Sequence, residues 1–249
     1  NILEFNVKVW ILTDGEVTPA DKGDQKKLRT WRLAESLINR GHEVTWGASN
    51  FKNIKKIKIL NGHKDVIVAT NFKLKLLEAG TYAKNISFAR IRHHHKLGKE
   101  FANFAHKESP PDIIIASMPI LEFPMKAIQY AKTRNVPVII DIRDKWPDSF
   151  HDYFPLFITP LLKIAFYPYN KTLINCLKNA DGITSMSEDL LNWATKKAHL
   201  PKRNNQRIFY LGYDEFSGNK PVTLDEFKNI PKNKTIFGYL GTFGKTHDI

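Results

Sequence analysis

The sequence holds one cysteine, Cys176, so neither an internal disulfide framework nor a multi-cysteine zinc site can be built, and the chain is predicted to be cytosolic. Cys176 reads as a buried apolar residue of a helix and not as a nucleophile. Long hydrophobic runs are missing as well. Nowhere do about 18 apolar residues pass without a charge, which excludes a spanning helix. Asn1 to Phe5 puts no basic segment ahead of an apolar run, so no signal peptide is predicted, and the missing first methionine predicts that a few residues precede Asn1. Acidic residues are in deficit: 25 Asp and Glu face 38 Lys and Arg, a formal net charge of +13. Such a surplus predicts a polyanionic partner, and nucleic acid, an anionic membrane face or a phosphorylated substrate would each satisfy it. Internal repeats and low-complexity tracts are also absent.

What is present is a globular chain. Its 249 residues are 42% hydrophobic and 12% aromatic, enough for one full core and the start of a second. Val7 to Leu12 is a short, partly β-branched apolar run that stops at Thr13-Asp14-Gly15, which predicts the opening strand of a parallel sheet. From Gln25 to Arg40, Leu28, Trp31, Leu37 and Ile38 fall near helical spacing, and Gly41 marks the helix end. Glu43 to Trp46 is extended again, completing a strand-helix-strand unit with a right-handed crossover. The alternation continues with strands at 65–69, 112–116, 136–141, 182–186 and 207–211, and with helices at 88–107 and 123–134. Strands this apolar are expected to be covered on both faces. The fold class is therefore α/β, a doubly wound sheet whose ligands sit at the C-terminal strand ends. Residues 1–211 form the predicted N-terminal domain. From 212 to 234 the composition turns to Gly, Pro, Asn and Lys, a predicted interdomain linker, and 235–249 reads as the first strand and glycine turn of a second domain that is cut off.

The feature richest in chemistry is Asp141-Ile142-Arg143-Asp144-Lys145-Trp146-Pro147-Asp148, where an apolar strand empties into charged residues around a Trp-Pro step. A carboxylate at that point of the fold can position or deprotonate a sugar hydroxyl, although Trp146 could equally plug the sheet edge. The triplet His93-His94-His95 does not predict a metal site, because adjacent helical residues point about 100° apart. With Arg90, Arg92, Lys96 and Lys99 it predicts a basic face. Phe150 to Tyr169 is unusually apolar, and Pro155, Pro160 and Pro168 break it into short pieces. It either packs under the sheet or forms a monotopic surface between Lys163 and Lys171 that dips into lipid headgroups.

The order of segments resembles glycosyltransferase family 4, in particular the bacterial members that build O-antigen, capsule and exopolysaccharide units. Arg40 to Thr45 is similar to that family's first helix end and second strand, Pro111 to Ser117 to its strand with a small polar terminus, and Asp141 to Pro147 to its Asp-x-Arg-Asp-x-Trp-Pro signature. Ala180 to Glu188 resembles the strand and helix start that close the N-terminal domain, and Gly238 to Gly244 resembles the opening of the nucleotide-sugar domain. The resemblance implies a GT-B fold: a doubly wound Rossmann-like N-terminal domain facing a second Rossmann-like domain, here truncated. It implies transfer of a sugar from a nucleotide-diphosphate donor with retained configuration and without a metal or other cofactor. Asp144 falls at the catalytic, acceptor-side position beside the reacting hydroxyl. Gly241, Thr242 and Gly244 fall where backbone amides approach the donor diphosphate, with Lys245 adding a cation. Lys22, Gly23, Arg143 and Trp146 are the expected acceptor or phosphate contacts. The first loop is poorer in glycine than the family's, and Leu211-Gly212-Tyr213-Asp214 stands where Asn-Gly-Val-Asp is common. The helix with the paired glutamates for the donor is expected beyond Ile249. The implied partners are a nucleotide sugar, an acceptor glycan on polyprenyl diphosphate and the anionic inner face of the cell membrane, to which the protein would bind peripherally. Two rival readings are a relative that binds or epimerises nucleotide sugars without transfer, and a basic nucleic-acid module. No nucleic-acid motif supports the latter.

Overall fold

A computed structural model describes residues 6–212, apart from 22, 24, 25, 54 and 60, together with 235. Gln25, Lys22, the linker from 213, and the donor-side positions Gly241, Thr242, Gly244 and Lys245 lie outside the described residues.

Strand β1 (Lys8–Leu12) pairs in parallel with β2 (Glu43–Ser49) on one side and β7 (Ile113–Ser117) on the other. Outward from β2 follow β6 (Phe72–Leu77) and β5 (Lys64–Ala69). Outward from β7 follow β8 (Val138–Ile142), β9 (Gly182–Ser185) and β10 (Gln206–Ile208). A two-stranded hairpin, β3 (Phe51–Lys52) with β4 (Ile57–Lys58), stands apart. The sheet order is β10-β9-β8-β7-β1-β2-β6-β5, parallel throughout except for β5. The chain first steps from β1 to β2 and later from β7 outward the other way, so the gap between β1 and β7 is the topological switch point.

Helix α1 (Arg29–Ile38) lies on one face, where Ala34 packs with Val9, Ile11, Val44 and Trp46. The opposite face carries α2 (Phe88–Lys107), α3 (Glu122–Arg134), α5 (Tyr167–Asn179) and α6 (Glu188–Lys197), joined in one core with Trp10, Leu12, Ile114 and Ile140. Right-handed crossovers dictate this division, because opposite steps along the sheet put the helices on opposite faces. In the core Trp10 stacks on Tyr130 at 5.5 Å and packs on Phe104 at 4.7 Å. Such aromatic pairs stabilise by about 0.5–1.5 kcal/mol beyond their area burial.

Several expectations need correction. The predicted strand at 65–69 is an antiparallel edge, with Ile67 and Val68 exposed, so it is not covered on both faces. Its exposed row of backbone groups is blunted by lysine, a common device at sheet edges. The sequence reading missed β6. Its alternating lysines disguise it, and Lys75 sits buried because Asp65 and Glu108 carboxylates, each at 2.8 Å, neutralise it. Helix α1 starts at Arg29, not near residue 25, because the Glu16 carboxylate accepts from the Thr30 amide at 3.0 Å and closes the first turn. Strand β10 ends at Ile208, and Phe209, Tyr210 and Leu211 leave the sheet exposed.

The proline-broken stretch forms two 3-10 turns, Asp148–Tyr153 and Leu156–Ile158, followed by α4 (Thr159–Ala165) and α5. Pro160 and Pro168 fall in the first turns of these two helices, where the missing N–H costs nothing. No residue of α4 is buried. Among the described residues no helix is long and apolar enough to cross a membrane.

Candidate active site at the strand switch point

The C-terminal ends of β1 and β7 are joined by a hydroxyl pair, Thr13 Oγ1 and Ser117 Oγ at 2.9 Å, both buried. Thr13 follows β1 and its amide donates to the Gly47 carbonyl at 3.1 Å, so the backbone stays extended one residue past the strand. The Trp46 indole donates to the Thr13 carbonyl at 3.4 Å and braces the turn from β2.

On the α1 side of the pair lies a four-charge network. Asp141, at the end of β8 and 3% exposed, accepts from Arg29 NH2 at 2.9 Å, Arg143 Nε at 2.8 Å and Thr184 Oγ1 at 2.7 Å. Arg143 continues to Thr30 Oγ1 at 2.9 Å and to the Glu16 carboxylate. Burial brings the Arg143 guanidinium down to a pKa of about 10, still charged at neutral pH. Two guanidinium groups and two carboxylates cancel, which is what permits this much charge to be withdrawn from water. The network clamps α1, the first loop and the ends of β8 and β9 to one another.

On the α2 side, Asp14 accepts from the Ser49 amide at 3.2 Å, and its second oxygen lies 3.9 Å from His93 Nε2. His93 Nδ1 meets the Gly80 carbonyl at 2.9 Å, which requires the proton on Nδ1. The histidine triplet is thus not the basic face predicted for it. His93 is buried, burial and then Arg90 push the His94 pKa down to about 3, and His95 alone turns outward with Arg92, Lys96 and Lys99. Among the described residues no group of three or more His, Cys, Asp or Glu could hold a metal. Cys176 is buried in α5, and its thiol is pushed up to about 12 by desolvation, an inert group.

The turn after β8 is pinned at nearly every side chain. Arg143 points into the network. Lys145 pairs with Asp189 at 2.6 Å, and Asp148 accepts from Lys197 and from the Trp193 indole at 2.9 Å, fastening the turn to α6. Trp146 packs edge-on against Tyr169 at 4.9 Å and Phe166 at 5.8 Å, so it acts as the plug against α5. Asp144 is the exception: half-buried at the sheet's C-terminal edge, it has no hydrogen bond or ion pair among the described residues.

Of the residues predicted from sequence, Arg143 reaches the switch point through Thr30, Asp144 stands in the turn after β8, and Trp146 faces α5. Gly23 has φ +90, a conformation glycine adopts without strain, and lies on the first loop. Sequence reasoning missed Glu16, Arg29, Thr30 and Asp14 as site residues. No local signal marks them, because Glu16 meets the Thr30 amide across 14 residues of chain.

No family model and no curated protein matches the chain. Among solved structures it is similar to HepE of Anabaena in complex with UDP and glucose, with 12% identity, TM-score 0.46, and coverage of 84% of this chain and 45% of that one. It is similar to the catalytic domain of starch synthase IV from Arabidopsis thaliana bound to ADP and acarbose, with 9% identity, TM-score 0.46, and coverage of 82% and 52%. It is also similar to the calicheamicin glycosyltransferase CalG4, with 10% identity, TM-score 0.42, and coverage of 82% and 53%. The chain therefore spans about half the length of these structures. What the fold and the switch point define by themselves is a doubly wound, Rossmann-like α/β domain.

Proposed function

We propose that this domain is the acceptor side of a retaining glycosyltransferase of GT-B type, which moves a sugar from a nucleotide diphosphate to a glycan carried on a polyprenyl diphosphate during assembly of bacterial surface polysaccharide. The observation that carries the reading is Asp144. In a turn where Arg143, Lys145 and Asp148 are all paired, one carboxylate at the sheet's C-terminal edge is left without a described partner. A pinned turn with a carboxylate unpaired among the described residues is an arrangement that positions an acceptor hydroxyl, because the backbone is fixed in advance. The Asp-x-Arg-Asp-x-Trp-Pro resemblance supports the same assignment, with Arg143 serving to hold the turn. In this reading Lys22 and Gly23 of the first loop meet the acceptor or its phosphate. Gly241, Thr242, Gly244 and Lys245 cradle the donor diphosphate, which leaves as the sugar's anomeric carbon bonds to the acceptor oxygen.

The acceptor lipid stays in its bilayer, so the enzyme must work at the membrane face. The exposed apolar row of Phe157 at 82%, Leu161 at 66%, Ile164 at 72% and Tyr167 at 64%, beside Lys163 and Lys171, supports such contact.

The test is Asp144→Asn in the full-length natural protein. Turnover falls at least tenfold while the melting temperature holds, the loss of a positioned acid or base being about 10²-fold or more. An unchanged rate removes Asp144 from the site.

A further inference from the structure

The first turns of α3 and α5 meet the second turn of α2 at the sheet's C-terminal edge, and a cavity of about 230 Å³ opens between them. Its walls include Leu121, Met125, Pro168 and Tyr169 beside the hydroxyl residue Thr172, with two titratable groups, Glu122 and His95, set among them. An apolar cavity of about 150 Å³ holds a benzene ring, so this one has room for a ring or a short hydrocarbon chain.

Glu122 is the odd member. It is 5% exposed, and its Oε1 lies 3.3 Å from Nδ1 of the outward-facing His95 ring. Desolvation pushes its pKa up, while its own backbone N–H and the His95 charge act in the opposite sense. The fold makes room for it at a cost. Gly98 lies inside α2, where glycine weakens a helix relative to alanine, and a Cβ there would come within 2.8 Å of the Glu122 Cβ. The switch-point chemistry does not use this carboxyl.

The cavity also borders the loop after β7 and the turn after β8. Leu121 and Glu122 continue the chain from Ser117 of β7, and the Tyr169 ring packs on Trp146 of the β8 turn. Next to Pro168, Tyr167 begins the exposed apolar row that runs back through Ile164 and Leu161.

We infer that the cavity binds the hydrocarbon portion of a hydroxyl-bearing amphiphile, with the chain against Leu121, Met125 and Tyr169 and the hydroxyls meeting Glu122 and His95. Calling it an acceptor subsite rests on the transferase reading above, whereas the binding itself does not.

The probe is a series of n-alkyl β-glucosides from butyl to octyl, titrated into the full chain below their micellar concentrations. Burial of each added methylene is expected to tighten Kd by up to about fourfold, equivalent to about 0.8 kcal/mol per CH2. Met125→Trp fills the cavity and removes the dependence on chain length. Glu122→Gln weakens all members by a common factor and keeps the dependence. Phe157→Ser with Ile164→Ser, on the outer row, changes nothing. Should Met125→Trp fail to fold, magnetization transfer from the alkyl methyl to the Tyr169 ring and the Met125 methyl in the unaltered protein decides the question. Absence of chain-length dependence, its loss in the outer-row variant, or its survival in the filled cavity overturns the site. No donor or turnover enters the measurement. Binding without transfer would refute only the transferase reading, and transfer without binding only this subsite.

Discussion

Replacing Arg143 with Met removes the centre of the buried network and leaves its two carboxylates unequally supplied. Asp141 keeps Arg29 at 2.9 Å and Thr184 at 2.7 Å, but among the described residues the Glu16 carboxylate keeps only the Thr30 amide at 3.0 Å. The Arg143 and Glu16 side chains are 16% and 11% exposed, so solvent replaces little of what is lost. Breaking one partner of such a pair costs about 3–5 kcal/mol, whereas replacing both by apolar groups is often neutral or stabilising. Arg143→Met and Glu16→Leu singly should therefore each lower stability by about 3 kcal/mol or more. Because Asp141 retains two partners, the double variant should recover at least half of that loss. In a domain of this size 1 kcal/mol moves Tm by about 2–4 °C, so the single variants should melt roughly 6–12 °C lower. Urea unfolding followed by circular dichroism completes the double-mutant cycle. Additive losses, or single-variant losses under about 1 kcal/mol, would refute the coupling and show the network to be solvated.

His94 supplies a pH signature. Its folded pKa of about 3 lies below the ordinary histidine value of 6.5, so below pH 6.5 the unfolded chain takes up a proton that the folded chain refuses. Stability is full above that pH and falls by up to about 1.4 kcal/mol per pH unit beneath it. His94→Gln should flatten the slope between pH 6.5 and 4.5 in urea titrations, and an unchanged slope would assign it elsewhere. For the membrane contact, sedimentation with anionic liposomes at low salt should carry the protein down, and high salt or neutral lipid should release much of it. Phe157→Ser with Ile164→Ser should weaken the salt-resistant part. Equal and negligible binding to both liposome types would leave the apolar row without a lipid role.

The sheet's parallel core was legible because β1, β7, β8 and β9 are apolar runs ended by turn residues, a pattern set by burial. Helix 88–107 was matched at both ends, with Ser87 capping it through the Arg90 amide at 3.2 Å. Strand β6 escaped because Lys73 and Lys75 alternate with leucines, and the partners that neutralise Lys75 come from β5 and from Glu108, distant in sequence. In the network, Arg143 was visible in a local motif. Glu16, Arg29 and Thr30 were not, since their role exists only after α1 folds against β8, across separations such as the 112 residues between Arg29 and Asp141. The histidine triplet misled for the same reason. His93 is buried against Phe51 and Tyr82, which no local spacing encodes.

The most direct test of the transferase reading incubates the full-length natural protein with individual nucleotide-diphosphate sugars, with and without a polyprenyl-diphosphate-linked glycan, and measures released nucleoside diphosphate and the anomeric configuration of the product by NMR. Release that depends on the acceptor, with one donor preferred and the donor's configuration retained, is the predicted result, and Asp144→Asn should suppress it at least tenfold. A folded protein that releases no nucleoside diphosphate from any donor, or a product of inverted configuration, would contradict the account.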